Sequence, residues 1–245
     1  MKDRKEKYTE NLRKRIFRTL YKQQLLESGD RIMVGLSGGK DSLILLESLA
    51  ERCRQLPFII ELVACHVMIG NIGYKVDTGF LESFCKAAGV PFYLEQMNIE
   101  LDETGEKKPC FLCSWNRRKV MFRLTKELKC NKLAFGHHMD DALETLFMNM
   151  VYHGSLSSMP FKFDMFDGRL QVIRPLLELT NKELEGYALK RNWPKEIKVC
   201  PYDNETGRSV MKNFVEEISK LHKNARKNMF RSMNNPYPEY LPKLK

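Results

Sequence analysis

The stretch "VGLSGGKDS", residues 34–42, decides the fold because it joins a short apolar run to a run of helical periodicity. Residues 31–36 read "RIMVGL", which is typical of a buried strand, and residues 42–54 place apolar side chains at helical spacing. Glycines at a strand-to-helix turn, with a helix amino end behind them, form a ready site for an anion. The stretch therefore predicts an anion-binding loop.

Apolar strands alternate with helices along the rest of the chain. We predict further strands at 58–69, 90–99, 132–138 and 170–179, and helices at 10–26, 80–89, 111–128, 140–153 and 180–191. This alternation is typical of an α/β fold, a Rossmann-like parallel sheet with helices on both faces and ligands at the carboxyl ends of the strands. Residues 1–29 and 201–245 are predicted to be helical extensions of a domain at 30–200.

The net charge of +10 is concentrated at the two ends of the 245 residues. Residues 1–22 and 207–245 each carry nine basic and three acidic residues, or +6, which leaves −2 for the middle. Such ends suit a polyanion such as nucleic acid, although charged helices can also simply be soluble. No apolar run approaches the roughly 20 residues that span a bilayer, so we expect a cytoplasmic protein that does not enter a membrane.

Residue identity excludes two common phosphate loops at this position. A Walker A loop with its lysine at Lys40 needs glycine at Val34 and Ser or Thr at Asp41, and a Gly-x-Gly-x-x-Gly fingerprint is missing. The segment that remains supplies close backbone approach, one positive charge and hydroxyl groups, and comprises Ser37, Gly38, Gly39, Lys40, Asp41 and Ser42.

This segment, "SGGKDS", resembles the loop of the N-type ATP pyrophosphatase, or PP-loop, superfamily, which cleaves ATP between its α and β phosphates. The resemblance implies that the loop amides, Ser37, Lys40 and Ser42 hold the pyrophosphate. It also places the adenine ring near His66, which ends the second predicted strand; a buried core histidine is the alternative.

A pair of cysteines in "KPCFLCSWNRRK" starts the predicted helix at 111–128. The helix dipole favours thiolates at Cys110 and Cys113, and the pair fits a redox dithiol, half of a zinc site or part of a cluster. Cys200 is a third candidate, and a histidine could complete a zinc site: His137, His138 or His153. The remaining cysteines are predicted to be inert core thiols: Cys53, Cys65, Cys85 and Cys130.

The segment "FGHHMDDALETLF" places histidines and carboxylates where a predicted strand meets a helix. Carboxylates near a triphosphate usually hold Mg²⁺, so we predict Asp141 as its first ligand and Asp41 as its second. Helix capping is the alternative for Asp140 and Asp141. Gly136 and His137 are predicted nucleotide contacts.

Five segments occur in the order of the bacterial tRNA 2-thiocytidine synthetase family, and the resemblance spans residues 12–240. They are "SGGKDS", "CFLCSWNRRK", "FGHHMDDALETLFMNMVYHGSLSSMP", "VIRPLLEL" and "VCPYD". The resemblance implies an adenine nucleotide alpha hydrolase-like fold and a [4Fe–4S] cluster on Cys110, Cys113 and Cys200, whose open iron binds sulfide.

The implied reaction uses ATP and Mg²⁺ to adenylate the C2 oxygen of a cytidine in the tRNA anticodon loop, after which sulfur replaces AMP. Lys40, Asp141 and the cysteine pair are the implied catalytic residues. A homodimer and a sulfur donor, either a cysteine desulfurase or free sulfide, are also implied. Predicted tRNA contacts are the basic ends, Arg117 and Arg118, with Tyr237 and Tyr240 for stacking on bases.

Two departures from the family pattern leave alternatives open. Asp203 stands where the family commonly has a second cysteine after Cys200, and residues 69–79 differ from the usual loop. A 2-thiouridine or lysidine synthetase, or a nucleotide-responsive RNA-binding protein without catalysis, would share the loop.

Overall fold

The computed structural model describes residues 4–71, 76–100, 109–194 and 207–242, and within these ranges the chain forms six strands and eight α-helices. The strands are β1 (Arg31–Gly35), β2 (Glu61–Ile69), β3 (Phe92–Met97), β4 (Lys132–Ala134), β5 (Lys162–Met165) and β6 (Leu170–Ile173). The helices are α1 (Arg4–Lys22), α2 (Lys40–Gln55), α3 (Thr78–Ala88), α4 (Pro109–Glu127), α5 (Met139–His153), α6 (Asn181–Arg191), α7 (Gly207–Ser219) and α8 (Ala225–Ser232).

The strands form one sheet in the order β3-β2-β1-β4-β6-β5. The expected parallel pairing is confirmed for five strands, but the edge strand β5, which the sequence analysis did not predict, runs antiparallel to β6. Only four residues join β5 to β6, with Phe166, Asp167 and Gly168 at positive φ. A connection this short can join only antiparallel neighbours.

Helices cover both faces of the sheet, as predicted. On β1, Ile32 and Val34 lie in one core with residues of α1, α2 and α6, whereas Met33 points to the other face. There Met33 packs in a second core with residues of α4, among them Met121. Alternate side chains of a central strand therefore belong to different cores, as the period of two requires.

Contacts divide the chain into two compact units. The first comprises residues 1–138 and 160–204 and contains the whole sheet; the second comprises residues 139–159 and 205–245. Within the second unit, Met139 and Leu143 of α5 pack with Val215 of α7. None of the described helices is long and apolar enough to cross a membrane.

Candidate functional site

The strand order reverses between β1 and β4, which are parallel neighbours in the middle of the sheet. In an open parallel sheet, ligands bind at such a switch point, beyond the carboxyl ends of the strands. The segment after β1 is the predicted anion loop, and the segment after β4 contains Gly136 and His137. The structure thus brings two predicted site segments to one edge.

Two serine hydroxyls hold the loop in shape. The Ser42 hydroxyl donates to the Gly39 carbonyl at 2.8 Å and accepts from the Ser37 amide at 3.2 Å. The Ser37 hydroxyl accepts from the Gly39 amide at 3.1 Å. Gly39 precedes α2 and provides no side-chain cap, so the amides of the first helical turn remain available to an anion.

Two glycines are required by close packing around this loop. A Cβ on Gly38, whose φ is +91°, would lie 2.7 Å from Val76 Cγ1. A Cβ on Gly136 would lie 2.9 Å from the carbonyl carbon of Asp41 and 3.0 Å from the Ser42 amide nitrogen. Gly136, a predicted nucleotide contact, therefore packs directly against the first turn of α2.

The charged side chains of the loop meet at Asp41. Its Oδ2 lies 3.0 Å from Lys40 Nζ and 4.0 Å from Nε2 of the buried His138. Its Oδ1 is buried and has no hydrogen-bond partner among the described residues. One carboxylate oxygen is thus available to a cation, which suits the predicted Mg²⁺ ligand. His137 lies beside Phe135, with ring centroids 5.5 Å apart.

His66 lies within β2, three residues before its end, so the predicted position at the strand terminus is wrong. Its side chain is 1% exposed, and Nδ1 donates to the Leu36 carbonyl at 2.7 Å. Burial lowers the pKa of His66; this hydrogen bond opposes the shift, and the nearby charge of Arg117 adds to it. The shift favours the neutral imidazole, in which Nε2 is a buried acceptor that has no described partner.

The cysteine pair lies in the first turn of α4, where Cys110 and Cys113 are half-buried. A spacing of three places both on one face of the helix. Cys113 packs beside Ile69 and Ile99 at the carboxyl end of β2. The pair therefore lies close to the edge of the sheet that holds the loop.

Thiolates at this spacing fit a soft metal or an iron–sulfur cluster. The third predicted ligand, Cys200, and Asp203 lie outside the described residues. Among residues that are described, no group of three or more His, Cys, Asp or Glu could hold a metal, so the cluster ligand set stays a prediction.

The other four cysteines lie in environments that suppress thiolate formation. Burial raises the pKa of Cys65 and of Cys85 to about 12, and that of Cys53 to about 11. It also raises the pKa of Cys130. Because thiolates are the reactive form, burial disfavours reaction at these thiols. Cys65, Cys85 and Cys130 are buried as predicted, whereas Cys53 is only half-buried.

Asp140 and Asp141 belong to the second unit, in the first turn of α5. Arg226 Nε lies 2.7 Å from Asp140 Oδ1, and Arg208 Nη2 lies 3.7 Å from Asp141 Oδ1. Arg208 also donates to Glu144 at 3.1 Å. Sequence reasoning missed these two arginine partners, because it treated them only as part of the basic carboxyl-terminal end. The role of Asp141 as a Mg²⁺ ligand stays a prediction.

The basic amino-terminal helix is similarly engaged within the first unit. Ion pairs join Arg13 to Glu51, Arg15 to Glu183 and Arg18 to Glu178. Both hydrogen bonds of the predicted capping box between Thr180 and Glu183 are present. Glu183 therefore caps α6 in addition to pairing with Arg15. These pairs reduce the positive charge that α1 presents to a polyanion.

Comparison with known proteins places these features in a family. A PP-loop domain model matches residues 8–231. The tRNA-cytidine(32) 2-sulfurtransferase of Polynucleobacter asymbioticus is 36% identical over 222 residues, which cover 89% of this chain and 73% of that protein. The protein of the same name from Pectobacterium atrosepticum is 35% identical over 249 residues, which cover 98% and 79%.

A solved structure also resembles the whole fold. The U34-tRNA thiolase NcsA from Methanococcus maripaludis, with its [4Fe-4S] cluster, superposes with a TM-score of 0.79 at 26% identity. The superposition covers 97% of this chain and 81% of that one.

The sheet, its switch point and the uncapped glycine-rich loop define a class of α/β proteins that bind the phosphates of a nucleotide. The chain belongs to the PP-loop family and, within it, to the family of tRNA-cytidine(32) 2-sulfurtransferases. The family resemblance and fold class expected from the sequence are confirmed.

Proposed function

We propose that the chain is an ATP-dependent tRNA sulfurtransferase of the cytoplasm, which replaces the C2 oxygen of cytidine 32 with sulfur to give 2-thiocytidine. One observation carries the proposal. His66 of β2 lies between the two predicted centres, because its Nδ1 donates to the Leu36 carbonyl at the start of the loop and Cys113 packs beside Ile69, three residues further along the same strand. This proximity supports nucleotide and thiol chemistry at one edge of the sheet.

The loop is suited to hold the pyrophosphate that leaves when ATP transfers AMP. The amides at the start of α2 and the ammonium of Lys40 bind its negative charge, while Ser37 and Ser42 keep the loop rigid. Asp41 Oδ1 is the oxygen that can ligate Mg²⁺. The C2 oxygen of cytidine attacks the α phosphorus, and pyrophosphate leaves with the electron pair of the broken P–O bond.

Adenylation solves the problem of a poor leaving group. A C2 oxygen bonded to AMP leaves readily, so a sulfur nucleophile can add at C2 and expel AMP. Cys110, Cys113 and Cys200 would hold the cluster, which when bound supplies sulfur in nucleophilic form. Arg117, on the same face of α4 as the cysteine pair, keeps this region positive for anionic sulfur.

The substrate is a single-stranded loop because the reacting atom is inaccessible in a stacked duplex. A base that reacts at C2 has to leave the stack, and an anticodon loop permits this at low energetic cost. A homodimer and a sulfur donor, either a cysteine desulfurase or free sulfide, complete the proposal. Tyr237 and Tyr240, which are 56% and 83% exposed, are available for base contacts.

The test compares two cysteine variants of the full chain after anaerobic purification. The wild type should carry about four irons per chain and form 2-thiocytidine in tRNA from a deletion strain, measured by nucleoside mass spectrometry. Cys110→Ala should lose iron and thiolation but still bind ATP. Cys53→Ala, a half-buried thiol with a raised pKa, is the matched control and should keep all three properties.

Several results would reject the proposal. A colourless wild-type protein with one zinc, thiolation by Cys110→Ala, or 2-thiouridine as the product would each contradict it. Loss of ATP binding together with iron in Cys110→Ala would assign that cysteine a structural role.

A further inference from the structure

Helix α4 has a second face, formed by aromatic and basic side chains, that the reaction does not use. Phe111, Trp115, Arg118 and Lys119 lie at i, i+4, i+7 and i+8, so they share one side of the helix. All four are exposed, and the two aromatic residues are 54% and 49% exposed. Cys110 and Cys113 lie on a different side and are half-buried. We call the four residues the aromatic–basic face.

The aromatic rings of this face are already arranged for stacking. The rings of Phe111 and Trp115 lie 6.3 Å apart with an interplanar angle of 12°. Lys119 Nζ lies 5.5 Å from the centroid of the Trp115 ring, a cation–π contact. Exposed parallel rings next to a cation form the kind of platform on which nucleobases stack.

The cations of this face form no ion pair with a carboxylate in the described part of the chain. Arg118 donates to the carbonyl and hydroxyl of Ser114 at 3.3 and 3.4 Å. Arg174, just after β6, donates to the Pro160 carbonyl at 2.8 Å, and its buried Nε has no described partner. Burial lowers the pKa of Arg174, and the nearby charge of Arg118 lowers it further.

Arg123, about one turn further along α4, differs from these cations because it does form ion pairs. Arg123 is held by two carboxylates, those of Glu95 and Glu127. No described carboxylate forms an ion pair with Arg118, Lys119 or Arg174. Exposed cations on one helix face that no described carboxylate neutralises favour an anion with several oxygens, such as a phosphate.

We propose that the aromatic–basic face binds an unpaired nucleotide of the substrate RNA. The base stacks on Trp115 and Phe111, and its phosphate lies against Arg118. The inference rests on the proposed function and extends it, because it names the surface that recognises an unpaired loop. RNA is favoured over a protein partner because a flat π-surface beside cations that no described carboxylate neutralises matches a base and its phosphate.

The experiment uses Trp115 as its own reporter. The chain has two tryptophans, and Trp193 packs on Phe84 and Tyr187; in the full-length Trp193→Phe protein, emission therefore reports Trp115 alone. We expect an anticodon stem-loop RNA to quench this emission, and a blunt duplex with the same number of phosphates to leave it unchanged.

Matched variants separate stacking from charge. Trp115→Ala should weaken stem-loop binding by about 5- to 150-fold, the contribution of one stacked base, whereas Trp115→Phe should retain most of the affinity. Phe163→Ala, an aromatic residue of β5 that is also 54% exposed, should bind as the wild type does. Arg118→Ala should lower the salt dependence of binding by about one phosphate contact, and Arg123→Ala should not.

The outcomes distinguish this inference from the proposed function. Wild-type stem-loop affinity in both Trp115→Ala and Arg118→Ala, with a wild type that forms 2-thiocytidine, would overturn the inference alone. Reduced thiolation in Trp115→Ala without weaker RNA binding would also overturn it and assign the face to a protein partner. A wild type that neither binds nor thiolates the RNA would refute the proposed function and this inference together.

Discussion

Gly136→Ala tests the packing of the nucleotide loop with a change of one methyl group. The new Cβ would lie 2.9 Å from the carbonyl carbon of Asp41, against an ordinary contact of at least 3.4 Å, so about 0.5 Å of displacement is required (3.4 − 2.9). The obstructing atoms belong to the backbone and cannot rotate away. Gly136 does not have a positive φ, so the strain arises from this contact alone.

The displacement should affect both stability and catalysis. Overpacking of this kind costs about 1–3 kcal/mol, which lowers the Tm of a chain of this size by roughly 2–12 °C. A misplacement of about 1 Å can cost about 100-fold in rate. A displacement of about half that distance should therefore lower kcat for AMP formation about tenfold. Thermal melts and an assay of AMP released in the presence of tRNA measure the two effects.

Gly79→Ala is the matched control, because its Cβ would meet only Asp77 Oδ1 at 3.5 Å, within the first turn of α3. Alanine there should be neutral or stabilising by up to about 1 kcal/mol. Wild-type melting and turnover in Gly136→Ala would show that the loop does not depend on this contact, and the argument from packing would be refuted.

Three further predictions concern charge. Lys40→Ala should raise the Kd for ATP by roughly 10- to 150-fold, the value of a charge-assisted hydrogen bond, and leave the iron content unchanged; calorimetry and iron analysis check this. Lys132→Met should lower the free energy of unfolding by about 3–5 kcal/mol, because it leaves the carboxylate of Asp30, which is 2% exposed and lies 2.8 Å from Lys132 Nζ, without its cation. Urea denaturation measures this loss, and the double variant with Asp30→Asn should recover part of it. Burial places the folded-state pKa of His66 below its ordinary 6.5, so at low pH the unfolded state binds an extra proton. Stability should therefore fall as the pH drops below about 6.5, by up to about 1.4 kcal/mol per pH unit. The urea midpoints at pH 7.5 and 5.5 should differ less in His66→Gln than in the wild type.

The sequence was sufficient for the inner parallel strands β1, β2, β4 and β6 because most of their residues are buried, so that each appears as an apolar run. β5 has no such run: three of its four residues are exposed. Its signal was the pair Asp167-Gly168, which favours a tight hairpin turn. The strand forms because this turn returns the chain along β6, and that is a property of the turn rather than of the apolar pattern.

The loop could be located in sequence, whereas the contacts that shape it could not. Ser37 and Ser42 brace the loop across five residues, and such local bonds follow from composition. Gly136 packs against the backbone of Asp41, and His138 lies near the carboxylate of the same residue. These contacts join segments that are about 95 residues apart in sequence. Only the pairing of β1 with β4 brings them together, and sequence spacing carries no information about that distance.

Counting charge along the chain also failed to show which cations are available. The amino-terminal segment carries +6, yet Arg13 and Arg15 of α1 are already bound to glutamates of the same unit. Arg118 and Arg174 lie in the middle segment, whose net charge is −2, and no described carboxylate pairs with either. A phosphate that binds Arg13 has to displace a resident carboxylate, whereas one that binds Arg118 does not. RNA should therefore gain more affinity per positive charge from the middle of the chain than from the helix that the charge distribution favours.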